Sequence, residues 1–308
     1  MSFLCKEVLV THRFLKSNFS VTVGLSVFAV LSRYIWDFPG WEVFFAVQSK
    51  MFSFAMIFQY DFEIVNQVQG VQEDVVNRPD RPIPSGLITL QGGYARWVTS
   101  WILTPVVGYA FCSLHAAQYL LWWLGWVTFC YVWPRFNQPL LKNAFAAVGV
   151  YILMRLLNDA AQSCGDSFNM PRGVDMMMGI WSLSTCQVQD FHDRDGDIRT
   201  GRCTLATCFA PSAEPLIRRI VCVLFLSWGL LFFGACFLTN STVMHGLGLF
   251  SFFLHALTGL RFLEHKGQSY DHNTYKIHYI ASAYAVYLMV SYFGRHGWEN
   301  VLQLLPCI

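Results

Sequence analysis

The chain has 308 residues, of which 55% are hydrophobic and only 13% charged, with a formal net charge of +2. A soluble domain carries about a quarter charged residues, so this composition cannot clothe a water-facing surface, and the near-neutral balance excludes a general attraction to nucleic acid. Apolar runs of about 18 or more residues recur, the length that crosses a bilayer as a helix, and they predict an all-α integral membrane protein.

In chain order, residues 3–16, FLCKEVLVTHRFLK, lack the basic head, apolar run and small-residue cleavage site of a signal peptide; they predict an amphipathic interfacial helix within segment 1–19. Nine spans follow, near 20–36, 43–73, 94–113, 117–133, 140–162, 174–193, 214–238, 243–263 and 276–293. They predict a bundle of about nine transmembrane helices around a central cavity. Of the 21 Lys and Arg, all but Arg33, Lys50, Arg155, Arg172 and Arg295 fall on the side of the N-terminus, Arg135 and Lys142 among them. Positive charge stays cytoplasmic, so the N-terminus is expected inside and the C-terminus outside. The ten cysteines form no C-x-x-C pair and lie mostly in apolar runs. They read as small buried hydrophobes rather than disulfides or zinc ligands.

Two polar blocks interrupt this pattern. NQVQGVQEDVVNRPDRPIPSG, Asn66 to Gly86, ends the second span, and QDFHDRDGDIRTGRCTLA, Gln189 to Ala206, ends the sixth. The two spans are an even number apart, so the blocks emerge on one face. Each runs from carboxylates through arginines to a small-residue turn, Ser85–Thr89 and Thr200–Thr204, a weak internal repeat. Glu63, Asn66, Gly70 and Asp74 share one helix face, as do Asp190, Asp193 and Asp197; Asp195 points elsewhere. Carboxylates stacked on one face repel each other, and such oxygen-rich clusters suit a hard cation. Mg²⁺ needs only one or two carboxylates where substrate phosphates fill its other positions. Arg78, Arg81, Arg194, Arg199 and Arg202 offer charge-assisted bonds to phosphate. One such loop would be explained by ordinary salt bridges at a wet surface. Two on one face, both with helical acid spacing, point to capture of a magnesium diphosphate.

These residues carry a resemblance to the UbiA superfamily of intramembrane prenyltransferases and terpene cyclases. Its first motif, N-x-x-x-D-x-x-x-D, is matched by Asn66 and Asp74, with Gly70 where the middle aspartate is expected. Its second, D-x-x-D-x-x-x-D, is matched in full by Asp190, Asp193 and Asp197. The R-P-x-x-S-G turn of Arg81 to Gly86 and the G-x-x-T of Gly201 to Thr204 are also similar to the family's, and EDVVNRPDRPIPSG most resembles fungal members, some of them membrane-bound sesquiterpene cyclases.

The resemblance implies one transmembrane domain over 1–308, with cytoplasmic catalytic loops 74–93 and 193–213. It implies Mg²⁺ as cofactor, held by Asn66 and Asp74 at one site and by Asp190, Asp193 and Asp197 at the other. Arg78, Arg81, Arg199 and Arg202 would clamp the diphosphate of a prenyl diphosphate, farnesyl diphosphate favoured. Endoplasmic reticulum fits a eukaryotic member, and no protein partner is indicated.

Glu63, Arg155, Asn158 and Asp159 lie deep in their spans as a paired ion network or as a polar pocket floor. Three activities are weighed, and Gly70 with the fungal likeness favours the first, a terpene cyclase, over a prenyltransferase, with a transporter last. A cyclase would let the substrate's own double bond attack the cation. A prenyltransferase would use a bound aromatic or other lipophilic acceptor. An anion transporter should show midplane polar sites and broken helices, whereas Pro105 is the main break within a span and polar groups gather at one end.

Overall fold

The computed structural model describes residues 3–133, 138–199 and 201–297, with no side-chain description at Val76 and Asn77. Arg135, Thr200 and the C-terminal residues lie outside the described residues. No strand occurs among the described residues. The helices are α1 (Phe3–Leu15), α2 (Phe19–Tyr34), α3 (Trp41–Gln69), α4 (Val71–Asn77), α5 (Leu90–Phe111), α6 (Leu114–Tyr131) and α7 (Pro139–Gln162). They continue with α8 (Arg172–Thr185), α9 (Val188–Arg199), α10 (Glu214–Phe237), α11 (Thr242–Leu263), α12 (Gln268–Asn273) and α13 (Ile280–His296), a π-helical turn at Thr274–Tyr279 joining the last two.

Pro139–Gln162, Pro211–Phe237 and Thr242–Leu263 are each long and apolar enough to cross a membrane, and α1 with α2 would make a fourth candidate, bent by 91°. The other predicted spans have helices at the expected places that fall short individually for identifiable reasons. Helices α2, α8 and α13 have 16, 14 and 17 residues. Helix α3 carries Lys50, Asp61 and Glu63 in its interior, and α6 is rich in Trp and Tyr. Helix α5 runs through Pro105 unbroken.

The stretch 174–193, expected as one helix, is two. Helix α8 ends at Thr185 and α9 starts at Val188. Side chains there compete for the helix carbonyls: Thr185 Oγ1 donates to Trp181 O at 2.7 Å, Ser184 Oγ to Ile180 O at 3.1 Å and Gln187 Nε2 to Ser184 O at 2.5 Å. The two blocks expected as loops from residues 74 and 193 onward begin as helix, through Asn77 and Arg199 respectively.

The chain divides into two compact units, with boundaries inside α2 and α7. The first holds α1, most of α2, α3 to α6 and the C-terminal half of α7. Its core at the polar block is Val10, Phe14, Ile64, Val68 and Ile83, with Tyr60, Leu87, Ile88 and Trp97 packed around them. Burial of Ile83 there pins the 81–88 turn against α1 and α3. The second unit holds the start of α7 and α8 to α13. Helices α10 and α11 lie close through Gly229, Gly248 and Gly259, where a Cβ would meet the facing helix at 3.1, 2.6 and 3.1 Å.

Candidate active site

In the first unit the polar block is organised by one guanidinium. Arg81 Nη1 donates to both oxygens of Asp74, at 2.8 and 3.0 Å, and Arg81 Nη2 lies 4.0 Å from Glu63 Oε2. On a straight helix the eleven residues from Glu63 to Asp74 would separate them by roughly 16 Å. One side chain reaches both because α3 ends at Gln69, α4 starts beyond a bend at Gly70, and the turn after α4 folds back. A Cβ at Gly70 would sit 2.8 Å from the carbonyl oxygen of Asn66, so this backbone excludes a side chain at the position of the expected middle aspartate. Hydrogen bonding still runs through the bend, Gly70 N–H to Asn66 O and Asp74 N–H to Gly70 O, both 2.9 Å.

Glu63 is fully buried and accepts from Asn18 Nδ2 at 2.7 Å, from Gln67 and from Asn66. Burial pushes the Asp74 carboxyl up to about 6 against the opposing pull of Arg81. Arg81 Nε is buried and donates to no protein group, which leaves one N–H of the guanidinium for another acceptor. Arg78 is exposed.

The second unit sets its aspartates on α9. Asp190 and Asp197 are buried on one face; Asp193 is partly exposed beside His192, 3.5 Å away; Asp195 is exposed, as the spacing predicts. Asp190 Oδ1 is paired with Lys142 Nζ from α7, and Arg202 Nη1 lies 3.9 Å from Asp197 Oδ1. Burial pushes the Asp197 carboxyl up to about 6, opposed by Lys142 and Arg202. Arg199 is exposed.

Behind α9 runs a buried ion network. Arg194 pairs with Glu214, which accepts from Arg218 Nε at 2.9 Å, and Arg218 spans Asp271 at 3.1 and 2.7 Å. Arg218 also donates to Phe262 O at 2.7 Å and lies over the Phe191 ring at 4.3 Å. The resulting contacts fix α9 against α10 and α12. A column of rings descends from the aspartate helix: His192 to Tyr275 at 5.2 Å, Tyr275 to Tyr279 at 5.3 Å and Tyr279 to Trp181 at 5.2 Å between centroids. The π-helical turn supplies both tyrosines, a local geometry often found at functional sites.

The two turns share a local build. Gly86 and Gly201 have φ of +72° and +65°, the left-handed region that favours glycine, and each is followed three residues on by a threonine, of which Thr89 caps α5. Thr89 Oγ1 accepts the Gly92 N–H at 3.0 Å. Thr204 N–H donates to Thr207 Oγ1 at 2.8 Å and Cys208 N–H to Thr204 O at 2.8 Å. That closed turn joins Cys203 and Cys208 in a disulfide with Cα atoms 5.1 Å apart, so these two are not the buried thiols expected from the sequence. The pairing spans a sequence separation of five and leaves no C-x-x-C signature.

The deep polar residues are dispersed. Asp159 accepts from Ser113 Oγ and from Cys112 Sγ, and Asn158 donates to Asn169 at 2.9 Å, while Arg155 is buried on the same helix. Glu63 is brought to Arg81 by a contact in the first unit.

Whether these residues fit magnesium is tested by the donor atoms. Asp190 Oδ2 is fully buried and accepts no hydrogen bond, an arrangement that a cation would satisfy. Among the described residues no three His, Cys, Asp or Glu side chains converge on a common point. Magnesium bound through one or two carboxylates and substrate phosphate does not require such a cluster, so the residues present fit it. Lys142 and Asn18 are the site residues that sequence reasoning missed. Lys142 had one usable signal, a cation at the end of an apolar run; Asn18 had none.

A sequence profile of the UbiA prenyltransferase family matches residues 26–283. The chain is 31% identical over 217 residues to the diterpene cyclase eriG of Hericium erinaceus, covering 70% of this chain and 67% of that one. It is 30% identical over 240 residues to the polyprenyl transferase eriF of the same organism, covering 77% and 78%. A solved structure described in work on digeranylgeranylglyceryl phosphate synthase in membranes has the same fold, with a TM-score of 0.59 at 16% identity over 94% of this chain and 99% of that one.

Proposed function

This chain belongs to the UbiA prenyltransferase family, and from that premise we propose that it is a membrane-embedded, magnesium-dependent terpene cyclase. It ionises a prenyl diphosphate, with farnesyl diphosphate giving a sesquiterpene as the expectation from sequence. The family match extends over residues of both compact units, which supports reading them as one catalytic domain. Nine spans, a cytoplasmic N-terminus and a cytoplasm-facing site are part of the same reading, supported by the distribution of basic residues. Protection of a C-terminal tag in sealed vesicles with the cytoplasmic face outward is the outcome expected of that orientation.

One observation carries the reading: Asp190, buried with an oxygen open to a cation, stands beside the cationic groups a diphosphate needs. Asp190, Asp193 and Asp197 would hold one magnesium, and Asn66 and Asp74 the other. Bound magnesium would neutralise charge on the diphosphate as the C–O bond breaks. Arg81 in the first unit, and Lys142 and Arg202 in the second, face carboxylates; where magnesium took up those carboxylates, each cation would be released to donate to a phosphate oxygen. The buried, stacked rings of Tyr275, Tyr279 and Trp181 would offer π-electron density to a carbocation formed beside the aspartate helix.

The decisive experiment incubates purified protein with magnesium and either farnesyl or geranylgeranyl diphosphate, without acceptor. The geranylgeranyl arm is included because one relative is a diterpene cyclase. Cyclic terpene and diphosphate released in step support the proposal. The second reading is a prenyltransferase, favoured by the polyprenyl transferase relative. Inertness with both substrates until an aromatic acceptor is added, followed by a prenylated product, would establish it instead.

A further inference from the structure

A groove of about 890 Å³ lies in the first unit between α1, α3 and α5, within the size range of small-molecule sites. It shares Gly86 to Thr89 with the turn that closes the polar block, but its lining does not include Glu63, Asp74 or Arg81. Asp61 lines it, and Asp61 and Glu63, two residues apart on α3, point about 200° apart around the helix. Glu63 turns to Arg81, whereas Asp61 turns to α5, where Thr104 Oγ1 donates to its Oδ1 at 3.1 Å.

The other carboxylate oxygen is the unusual feature. Asp61 is 1% exposed, and its Oδ2 has no hydrogen-bond donor. A buried acceptor left unmade costs on the order of 1–3 kcal/mol, and the groove that reaches this residue is the route by which a donor could arrive. The other groove walls are largely apolar, including Met56, Ile57, Leu103 and Val107. From Thr89 to Thr104 along α5 the groove extends roughly 22 Å. Midway along, Arg96 is already held by Glu7 at 2.6 and 2.7 Å and by Tyr60 at 3.2 Å, so its charge is balanced within the protein.

We propose that this groove binds a linear lipophilic alcohol, whose hydroxyl bonds Asp61 Oδ2 while its chain lies between α3 and α5. A hydroxyl suits the position because it donates to a carboxylate and accepts from a protonated carboxyl, so it satisfies Asp61 in either state. An anionic head would face Asp61 unfavourably at the buried end. The proposal does not depend on the cyclase reading.

The test uses full-length protein in detergent and a diazirine-bearing analogue of hexadecan-1-ol, with crosslinks mapped by peptide. Labelling is expected on the Met56–Ile57 and Leu103–Val107 segments. Hexadecan-1-ol should compete about tenfold better than hexadecane, because the hydrocarbon leaves the buried oxygen unbonded. Asp61→Leu should lower labelling about tenfold, and Asp61→Asn, which keeps an acceptor, much less. Leu103 is 56% exposed, so Leu103→Trp should block the groove while leaving the thermal transition in place. Asp74→Asn should leave labelling unchanged. Equal competition by alcohol and hydrocarbon, or labelling indifferent to both Asp61→Leu and Leu103→Trp, would overturn the proposal. Loss of labelling in Asp74→Asn would place the alcohol in the diphosphate site instead. Displacement by phosphatidic acid but not by hexadecan-1-ol would make the groove a phospholipid site with its head at Lys6, and the proposal would fail.

Discussion

The two polar blocks present similar chemistry on different supports. In the first, Asp74 follows a bend at Gly70 and is held by Arg81, whose turn is pinned by the burial of Ile83. In the second, α9 carries three aspartates in full register, and the buried chain Arg194–Glu214–Arg218–Asp271 fixes it from behind. Hydrophobic pinning has no directional preference, so a turn held that way can follow a change of backbone. Ion pairs taken out of water demand their partners in place. This difference explains how the first block tolerates glycine where the family motif has an aspartate, while the second keeps every acid.

The largest expected effect strikes the second block. Asp193→Ala and Asp197→Ala should each lower turnover by about a hundredfold or more, the scale of losing a group that stabilises developing charge. Diphosphate release reads the effect, and the thermal transition should stay near that of the native protein. Turnover at the native rate in either variant would remove that residue from the metal site.

The next test addresses the support rather than the acids. Arg218→Met leaves Glu214 and Asp271 buried without their shared cation, and loss of one partner from such a set costs about 3–5 kcal/mol. A large fall in the thermal transition is expected. An unchanged transition would show that α9 is held by packing, as the turn of the first block is.

Gly70→Asp sharpens the contrast further. It completes the family motif, yet its Cβ meets Asn66 O at 2.8 Å. Overpacking of this kind costs about 1–3 kcal/mol, so activity is expected to fall rather than rise, and Gly70→Ala should fall similarly. A gain in activity with aspartate alone would mean that the bend yields and the missing acid was limiting.

The smallest effect belongs to the rim of the first block, where Lys16 and Asp80 pair at 3.3 Å in an exposed setting. Lys16 holds the Asp80 carboxyl below its ordinary value. A depressed carboxyl contributes stability above its unfolded pKa and loses it as pH falls through the folded one. Lys16→Ala should therefore cost less than about 0.5 kcal/mol near neutrality, and nothing once acid has protonated Asp80. A larger shift in a urea or thermal titration would make this pair part of the site.

Much of the site was legible along the chain because helical spacing is a local property. The one-face sets Glu63–Asn66–Gly70–Asp74 and Asp190–Asp193–Asp197, and the outward Asp195, follow from the number of residues per turn. Most predicted spans coincide with helices for the same reason. The break after Thr185 escaped, since Ser184, Thr185 and Gln187 are ordinary polar residues until their side chains take the helix carbonyls.

The sequence by itself determined an apolar, helical chain with two acidic faces and arginine-bearing turns, because composition and periodicity act over a few residues. Tertiary structure alone decided the partners. Lys142 reaches Asp190 across 48 positions, Arg218 reaches Asp271 across 53, and Asn18 reaches Glu63 across 45. Which buried charge meets which depends on how helices pack, and the cost of an unmatched charge in a low-dielectric interior then fixes those pairs. The same physics left Asp61 Oδ2 without a protein donor at the end of an apolar groove, a feature that no spacing along α3 reveals.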